Sequence, residues 1–208
     1  MKLSKGHWSL IVIILILIID QASKIWVKTT MYLGQDYEIL SWFHIRFVEN
    51  PGMAMGIEVM NKMFLSIFRI IASGAILYYL LLLIKRNFKL GYILCVSLIF
   101  VGAIGNIIDG IFYGKIFSES TPLHVASLFP PEGGYAGWMH GKVVDMFYFP
   151  LFSFTWPGWV PWIGGQEFEF FRYIFNVADA AISVGIISLI LFYRRTFSES
   201  FDKKPVEE

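Results

Sequence analysis

Four long apolar stretches divide the chain, at residues 8–28, 63–84, 91–112 and 173–193. A helix needs roughly 20 mostly apolar residues to cross the ~30 Å hydrocarbon core of a bilayer. Each stretch meets or nearly meets that length. The pattern therefore predicts a mainly α membrane protein with four transmembrane helices, which form a single integral membrane domain over residues 1–208.

The two longer connections, at about 31–62 and 113–172, carry different signals. The segments YEIL, WFHIRFVEN and KVVDMFYF alternate and are rich in β-branched or aromatic residues, which predicts strands of a small extracytoplasmic β-sheet. Residues 117–140 are rich in Pro, Gly and Ser and predict a long loop. Residues 152–172 hold three Trp and five Phe, and we expect a second long loop that serves as an interfacial anchor or as a recognition surface.

Positive charge orients these segments. Nine of the seventeen Lys and Arg residues lie in three short stretches on one side: Lys2, Lys5, Lys85, Arg86, Lys89, Arg194, Arg195, Lys203 and Lys204. Since short cytoplasmic segments carry the excess of basic residues, both termini are expected in the cytoplasm and both long connections outside.

Composition narrows the class further. The chain has 208 residues, 56% of them hydrophobic, and a formal net charge of +1, so no basic stripe is available for nucleic acid. Cys95 is the only cysteine, which excludes an intrachain disulfide and indicates a small buried hydrophobe. The basic residues before Leu10–Ile19 resemble a signal peptide, but no cleavage site follows, and we expect an uncleaved first span.

Four aspartates stand inside or at the ends of apolar segments: Asp20, Asp109, Asp145 and Asp179. A carboxylate at bilayer depth costs about 3 kcal/mol or more, so it usually marks a functional site. At 1.5 Å per residue, Asp20, Asp109 and Asp179 lie ~18, ~27 and ~21 Å from the cytoplasmic ends of their spans. Three helices thus bring a carboxyl group to a similar height in the outer leaflet.

Two carboxyl groups close together in a low-dielectric site share a proton and act as acid and base at once. Such a pair can activate water and protonate a leaving amine with no metal, cofactor or nucleophilic side chain. The four histidines lack metal-ligand spacing, and the serines lack a nucleophile motif. Asn50, Asn106 and Asn176 supply amides that can orient a scissile carbonyl or a carboxylate.

Other interpretations remain open on these residues. Asp20, Asp109 and Asp179 could form the relay of a small proton- or cation-coupled transporter, or the carboxyl groups could hold the helices of a non-catalytic assembly protein. Asp20 and Lys24 are also spaced as a helix-end ion pair. Asp109 could anchor loop backbone or Lys115, and Gly102 with Gly105 could serve close helix packing.

Five motifs in order resemble the bacterial lipoprotein signal peptidases, the type II signal peptidases. They are Asp20-Gln-x-x-Lys24, Asn50-Pro-Gly52, Gly102-x-x-Gly105-Asn106-x-x-Asp109, Val143-Val144-Asp145-Met-Phe and Phe175-Asn176-Val-Ala178-Asp179. The resemblance implies that Asp145 and Asp179 are the catalytic dyad. It implies substrate-binding or supporting roles for Asp20, Lys24, Asn50, Gly102, Asn106, Asp109, Asn176 and Ala178, with small residues near Asp179 to admit substrate.

The resemblance also implies an activity and a location. Enzymes of this family remove the signal peptide from diacylglyceryl-modified prolipoproteins by cutting before the lipidated cysteine, without a metal or cofactor. The expected partners are these substrates and membrane lipid, not nucleic acid. We expect a monomer in the bacterial inner membrane, with its active site facing the outer leaflet.

Two features depart from the family pattern. Gly110 stands where an Arg usually follows the aspartate, and Lys115, Lys142 or Arg172 could replace that cation. The segments 117–140 and 152–172 are longer than usual, and we expect them to form or extend a lid. On that hypothesis, a short turn in place of 117–140 changes substrate selection more than stability.

Overall fold

The computed structural model describes residues 3–51 and 62–202. The helices are α1 (Lys5–Thr30), α2 (Lys62–Lys85), α3 (Leu90–Ile108), α4 (Gly114–Ile116), α5 (Val177–Phe192) and α6 (Arg194–Asp202). The strands are β1 (Asp36–Leu40), β2 (Phe43–Asn50), β3 (Val143–Tyr148), β4 (Phe152–Thr155), β5 (Glu167–Phe170) and β6 (Ile174–Phe175). Lys2, Gly52, Lys203 and Lys204, which the sequence analysis invoked, lie outside the described residues.

Three helical segments in the described part of the chain are long and apolar enough to cross a membrane. They are α1, α2 and the continuous segment Leu90–Ile116, in which a π-helical turn (Asp109–Tyr113) joins α3 to α4. The fourth predicted span begins later than expected, because residues 174 and 175 belong to β6. Helix α5 has 16 residues, or ~24 Å, and meets the length criterion only together with α6, from which it is bent by 90°.

Helix α3 is the centre of the helical layer and contacts α1, α2 and α5. Small residues allow its close approach to α5. A Cβ atom on Gly102 would lie 2.3 Å from the Ala178 carbonyl oxygen, and one on Gly185 would lie 2.8 Å from the Cys95 carbonyl oxygen. Cys95 is buried in α3, in agreement with its predicted role as a small hydrophobe. The outer faces of α1 and α2 expose Leu and Ile side chains, as expected of helices surrounded by lipid.

A four-stranded antiparallel sheet in the order β1-β2-β3-β6 lies at one end of the helices. Strands β1, β2 and β3 confirm the strands predicted from alternation. The prediction of a loop over 152–172 was wrong, since β4 and β5 pair as a separate two-stranded hairpin. The segments FSFT and EFEF alternate between aromatic and polar residues, a period-two signal that the high aromatic content concealed.

The segment 117–140 is a long loop, as predicted, with isolated bridges at Phe117↔Leu128 and Thr121↔His124. Some of its side chains pack against the core of the protein. Phe117 is fully buried in a cluster with Val27 and Val144 on α1 and β3, and Tyr135 packs against that cluster. Because the loop supplies core side chains, we expect its replacement to cost stability as well as to change substrate selection.

Candidate active site

Strand pairing brings Asp145 and Asp179 to the same place. Strands β3 and β6 pair in the register Phe147↔Phe175 and Tyr148↔Ile174, so continuing the register sets position 145 opposite position 177. The chain leaves the sheet at that point and begins α5 at Val177. Asp179 follows two residues later, close enough for its charge to act on Asp145.

Asn176 follows β6 and caps α5. Its side-chain Oδ1 accepts a hydrogen bond from the Asp179 backbone N–H at 2.9 Å, and the Asn176 backbone N–H donates to Asp179 Oδ2 at 3.3 Å. This reciprocal capping box satisfies two N–H groups at the helix start and restrains the Asp179 side chain. The positive end of the helix dipole also favours a carboxylate at that position.

Three asparagines hold the two carboxyl groups. Asn176 Nδ2 donates to Asp145 Oδ1 at 2.7 Å, and Asn106 Nδ2 donates to Asp179 Oδ1 at 2.8 Å. The Asn50 side chain, at the end of β2, also hydrogen-bonds the Asp145 carboxyl. Asn176 Nδ2 lies 3.2 Å from Asn106 Oδ1, which links the two halves. The three asparagines predicted to orient a carboxylate or carbonyl thus all lie at the aspartate pair.

Asp145 is in an environment that favours its neutral form. Its side chain lies on strand β3 and is only 4% exposed. Burial, followed by the negative charge of Asp179, raises the pKa of Asp145 to about 7. Hydrogen bonds from Asn176 and Asn50 and the charge of Lys24 oppose that rise. Asp145 is therefore protonated in a substantial fraction of molecules near neutral pH, as expected for a buried carboxyl group beside a second one.

A buried cation on α1 organises the adjacent carboxylates. Lys24 Nζ lies 2.9 Å from Asp20 Oδ2 and 2.9 Å from Asp109 Oδ2, and all three side chains are at most 1% exposed. Lys24 also donates to Asn106 Oδ1 at 3.0 Å, which orients the Asn106 amide toward Asp179. The Asp20–Lys24 pair is therefore both an i,i+4 ion pair and a support of the site.

Asp109 anchors backbone rather than Lys115, whose side chain is exposed. Its Oδ2 accepts from the Val144 backbone N–H at 3.4 Å, next to Asp145. Gln21 was not predicted from the sequence, although its Nε2 donates to Asp20 Oδ2, Gly105 O and Asp109 Oδ1 at 3.0, 3.3 and 3.1 Å. The adjacent Asp20 and Lys24 were the available signal. One face of α1 thus fixes α3 and β3 at the site.

The small residues around this cluster serve packing. Ala178 is fully buried, and its backbone N–H donates to Asp20 Oδ1 at 2.9 Å. A Cβ atom on Gly105 would lie 2.6 Å from Asp20 Oδ2 and 3.1 Å from Ala178 Cβ. Gly102 likewise packs closely against the Ala178 backbone. Close contact of α3 with α5 therefore explains why Ala178 is small, whereas the sequence analysis attributed its size to the approach of substrate.

A second buried charge cluster also escaped the sequence analysis. Glu49 forms ion pairs with Lys28 and, at 3.0 Å, with Lys142, while Ser120 Oγ donates to Glu49 at 2.9 Å. Burial raises the pKa of Glu49, but these two cations more than offset that effect and leave the pKa below its usual value. Lys142 is thus committed to Glu49. The cluster ties α1, β2 and the 117–140 loop together.

Two cavities border the carboxyl pair. One of about 300 Å³ lies among α2, α3 and α5 and is lined by Arg69, Ser73, Asn106, Asp179 and apolar side chains. The other, of about 360 Å³, lies beside the sheet and is lined by Asn50, Asp145, Arg172 and Tyr173, among others. Each carboxyl group therefore reaches a different cavity.

Arg69 is a further residue that the sequence analysis missed. It is half-buried in the membrane-spanning part of α2 and interacts electrostatically with Asp179. An arginine inside an apolar span was the available signal. Of the cations proposed to replace the usual Arg at position 110, only Arg172 borders a cavity of the carboxyl pair, and Arg69 is an additional candidate.

The chain is similar to known proteins over most of its length. A family model described as signal peptidase (SPase) II matches residues 12–195. The chain is 53% identical to a lipoprotein signal peptidase of Porphyromonas gingivalis over 98% of its length and 90% of the relative's. It is 38% identical to the lipoprotein signal peptidase of Amoebophilus asiaticus, over 94% of this chain and 81% of that one.

A solved structure described as a bacterial membrane enzyme at 2.3 Å resolution is similar in fold. It superposes with a TM-score of 0.61 at 25% identity and covers 97% of this chain and 94% of its own. The similarity in fold therefore extends over nearly the whole chain.

Proposed function

The chain belongs to the signal peptidase II family of membrane aspartic peptidases, and on that premise we propose that Asp145 and Asp179 are its catalytic dyad. The observation that carries the proposal is the hydrogen-bonded set in which Asn176 orients Asp145 and Asn106 orients Asp179. The transporter alternative has no support among the relatives.

The two carboxyl groups take different roles in this proposal. Asp145, with its pKa raised to about 7, carries the shared proton, and Asp179 accepts a proton from water. The water oxygen attacks the scissile carbonyl carbon while Asp145 protonates the carbonyl oxygen. The C–N bond then breaks as the proton held by Asp179 passes to the leaving amine, and Asp145 takes a proton back from a hydroxyl of the collapsing gem-diol. Water thus supplies the oxygen of the new carboxyl group, and both aspartates return to their starting protonation states.

The two cavities give the substrate a path across the dyad. The cavity at Asp179 is formed by membrane-spanning helices and is largely apolar, so it suits the hydrophobic signal peptide. The cavity at Asp145 adjoins the sheet and carries polar and charged groups, so it suits the polar chain that follows the cut. A substrate that spans both has its scissile bond between the carboxyl groups.

The substrate is a prolipoprotein whose cysteine carries a diacylglyceryl group, and the bond cut is the one before that cysteine. We assign the enzyme to the bacterial inner membrane as a monomer with four spans, of which α5 is the fourth, and the polar helix α6 follows it on the cytoplasmic side. Basic residues at the inner ends of the spans orient both termini toward the cytoplasm. The sheet and the dyad then lie at the outer leaflet, where the lipid of the substrate is embedded.

Purified protein in lipid–detergent micelles tests this function. One reaction contains a diacylglyceryl-modified prolipoprotein and the matched reaction contains the same protein without the lipid. Mass spectrometry of the products should show one cut before the cysteine in the modified substrate and little in the unmodified one. A cut at another bond, or equal cleavage of both substrates, would contradict the proposal.

A further inference from the structure

The hairpin β4–β5 has two chemically opposite faces. Its pairs Phe152↔Phe170 and Phe154↔Phe168 alternate with Ser153↔Glu169 and Thr155↔Glu167. Because successive side chains of a strand point to opposite faces, four phenylalanines share one face, and Ser, Thr and two Glu share the other. We call these the aromatic face and the polar face.

The aromatic face is organised but uncovered. The Phe152 and Phe170 rings stack with centroids 4.8 Å apart, and the Phe154 and Phe168 rings are 5.1 Å apart. All four of these side chains are more than one-third exposed. An isolated two-stranded hairpin is marginally stable in water, and an aromatic surface of this kind gains stability when an apolar medium covers it.

The turn that joins the strands extends this surface. Trp159 is 82% and Trp162 is 96% exposed, and Trp162 has a φ of 64°. A left-handed backbone conformation is unfavourable for a bulky residue, where Gly or Asn is tolerated better. Indole rings favour the interface between bilayer and water.

The position of the hairpin brings it to the edge of the bilayer. The ring centroids of Phe171 and Phe175 are 6.0 Å apart in an edge-to-face arrangement, and the stacked rings of Phe175 and Phe149 have centroids 5.7 Å apart. Phe175 lies two residues before α5, whose outward side chains, such as Ile187 and Leu191, are exposed as on a lipid-facing helix. The aromatic surface is thus continuous with the surface that the membrane covers. On the polar face, Glu169 contacts the Tyr148 hydroxyl of β3, which turns the aromatic face away from the sheet.

We propose that the β4–β5 hairpin is a membrane-inserting element whose aromatic face and Trp159–Trp162 turn enter the outer leaflet beside the active site. The partner is bilayer lipid, and the attraction is apolar rather than electrostatic. The segment 151–171 contains no Lys or Arg, and its two glutamates lie on the polar face. Insertion therefore does not require anionic lipid, in contrast to a basic amphipathic segment. By chain connectivity, the hairpin fixes the segment between Asp145 and Asp179 at the membrane surface.

Nitroxide labels on single cysteines test the proposal in vesicles of zwitterionic phosphatidylcholine. In a Cys95→Ala background, the test variants are Trp159→Cys and Trp162→Cys, and the matched controls are Ser153→Cys and Thr155→Cys on the polar face. The ratio of collisions with oxygen to collisions with a water-soluble nickel chelate should be several-fold higher for labels at the two Trp positions than for the control labels. Insertion of one side of the hairpin produces this contrast.

Two outcomes overturn the proposal. Equal access of the nickel chelate to all four labels would mean that the hairpin stands in water. Protection of the Trp-position labels from both quenchers would mean that protein, such as a second copy of the chain, covers them. Quenching of intrinsic tryptophan fluorescence by brominated phosphatidylcholine, compared between the unmodified protein and Trp159→Phe/Trp162→Phe, gives a second measurement without labels. None of these readouts depends on catalysis, so their failure is distinct from failure of the proposed function.

Discussion

Substitutions of Asn176 separate its structural role from its role in orienting the dyad. Its Oδ1 caps α5 through the Asp179 backbone N–H, and its Nδ2 donates to Asp145 Oδ1. Asn176→Ala removes both contacts. Asn176→Ser retains a good N-cap residue but has no second group for Asp145, so the two variants form a matched pair.

The magnitudes follow from the contacts. Loss of an N-cap costs about 1 kcal/mol, and loss of a hydrogen bond to an ionised group costs about 1.5–3 kcal/mol. We therefore expect Asn176→Ala to lower the free energy of unfolding by about 3 kcal/mol and Asn176→Ser by about 2 kcal/mol. Unfolding by SDS in mixed micelles at pH 8, where Asp145 is mostly ionised, measures both values.

Activity responds in a direction that a purely structural role would not produce. The Asn176 donor lowers the pKa of Asp145, so its removal raises that pKa further above about 7. If cleavage requires protonated Asp145, the alkaline limb of the pH–rate profile moves to higher pH in both variants, while the maximal rate falls because Asp145 is less well oriented. An alkaline limb that stays in place or moves to lower pH would refute this reasoning, as would equal stability of the Ser and Ala variants.

Three further predictions test the neighbouring groups. Asp145→Asn should have a free energy of unfolding at pH 8 that is higher than that of the unmodified protein by up to about 4 kcal/mol. The reason is that a pKa of about 7 in the folded state makes ionisation of Asp145 above that pH costly. This difference should vanish near pH 4, and SDS unfolding at both pH values measures it. Lys24→Met should cost about 3–5 kcal/mol by leaving Asp20 and Asp109 buried without their cation. Addition of Asp20→Asn should recover part of that loss, and no recovery would argue against charge repulsion as the cause. Arg69→Gln should raise KM several-fold with a smaller change in kcat, and Arg69→Lys should have a KM closer to that of the unmodified protein. Steady-state cleavage kinetics measure both constants. An unchanged KM would mean that Arg69 does not contact the substrate.

Residues that carry their own local signal could be found from the sequence. Asp145 and Asp179 stand out because a carboxylate is costly in an apolar segment, and Asn176 precedes Asp179 at the spacing of a capping box. Alternation was sufficient to find β1, β2 and β3.

Features that depend on tertiary contacts could not be found in the same way. Gln21 and Lys28 matter because of partners more than 20 positions away, such as Asp109 and Glu49, and periodicity does not identify such pairs. The small size of Ala178 is explained by Gly105 on another helix. The hairpin at 152–170 does not depend on tertiary contacts in this way. Its alternation of aromatic and polar residues is visible in the sequence, but its high aromatic content favoured the prediction of an interfacial loop.

The most direct test of the catalytic dyad is single-turnover cleavage of a diacylglyceryl-modified prolipoprotein by Asp145→Asn and Asp179→Asn. The matched control is Asp36→Asn, whose carboxylate on the edge strand β1 pairs with His44 on β2. Both dyad variants should remain folded and lose cleavage, while Asp36→Asn keeps the rate of the unmodified protein. A folded Asp145→Asn or Asp179→Asn variant that still cuts the substrate would contradict the account.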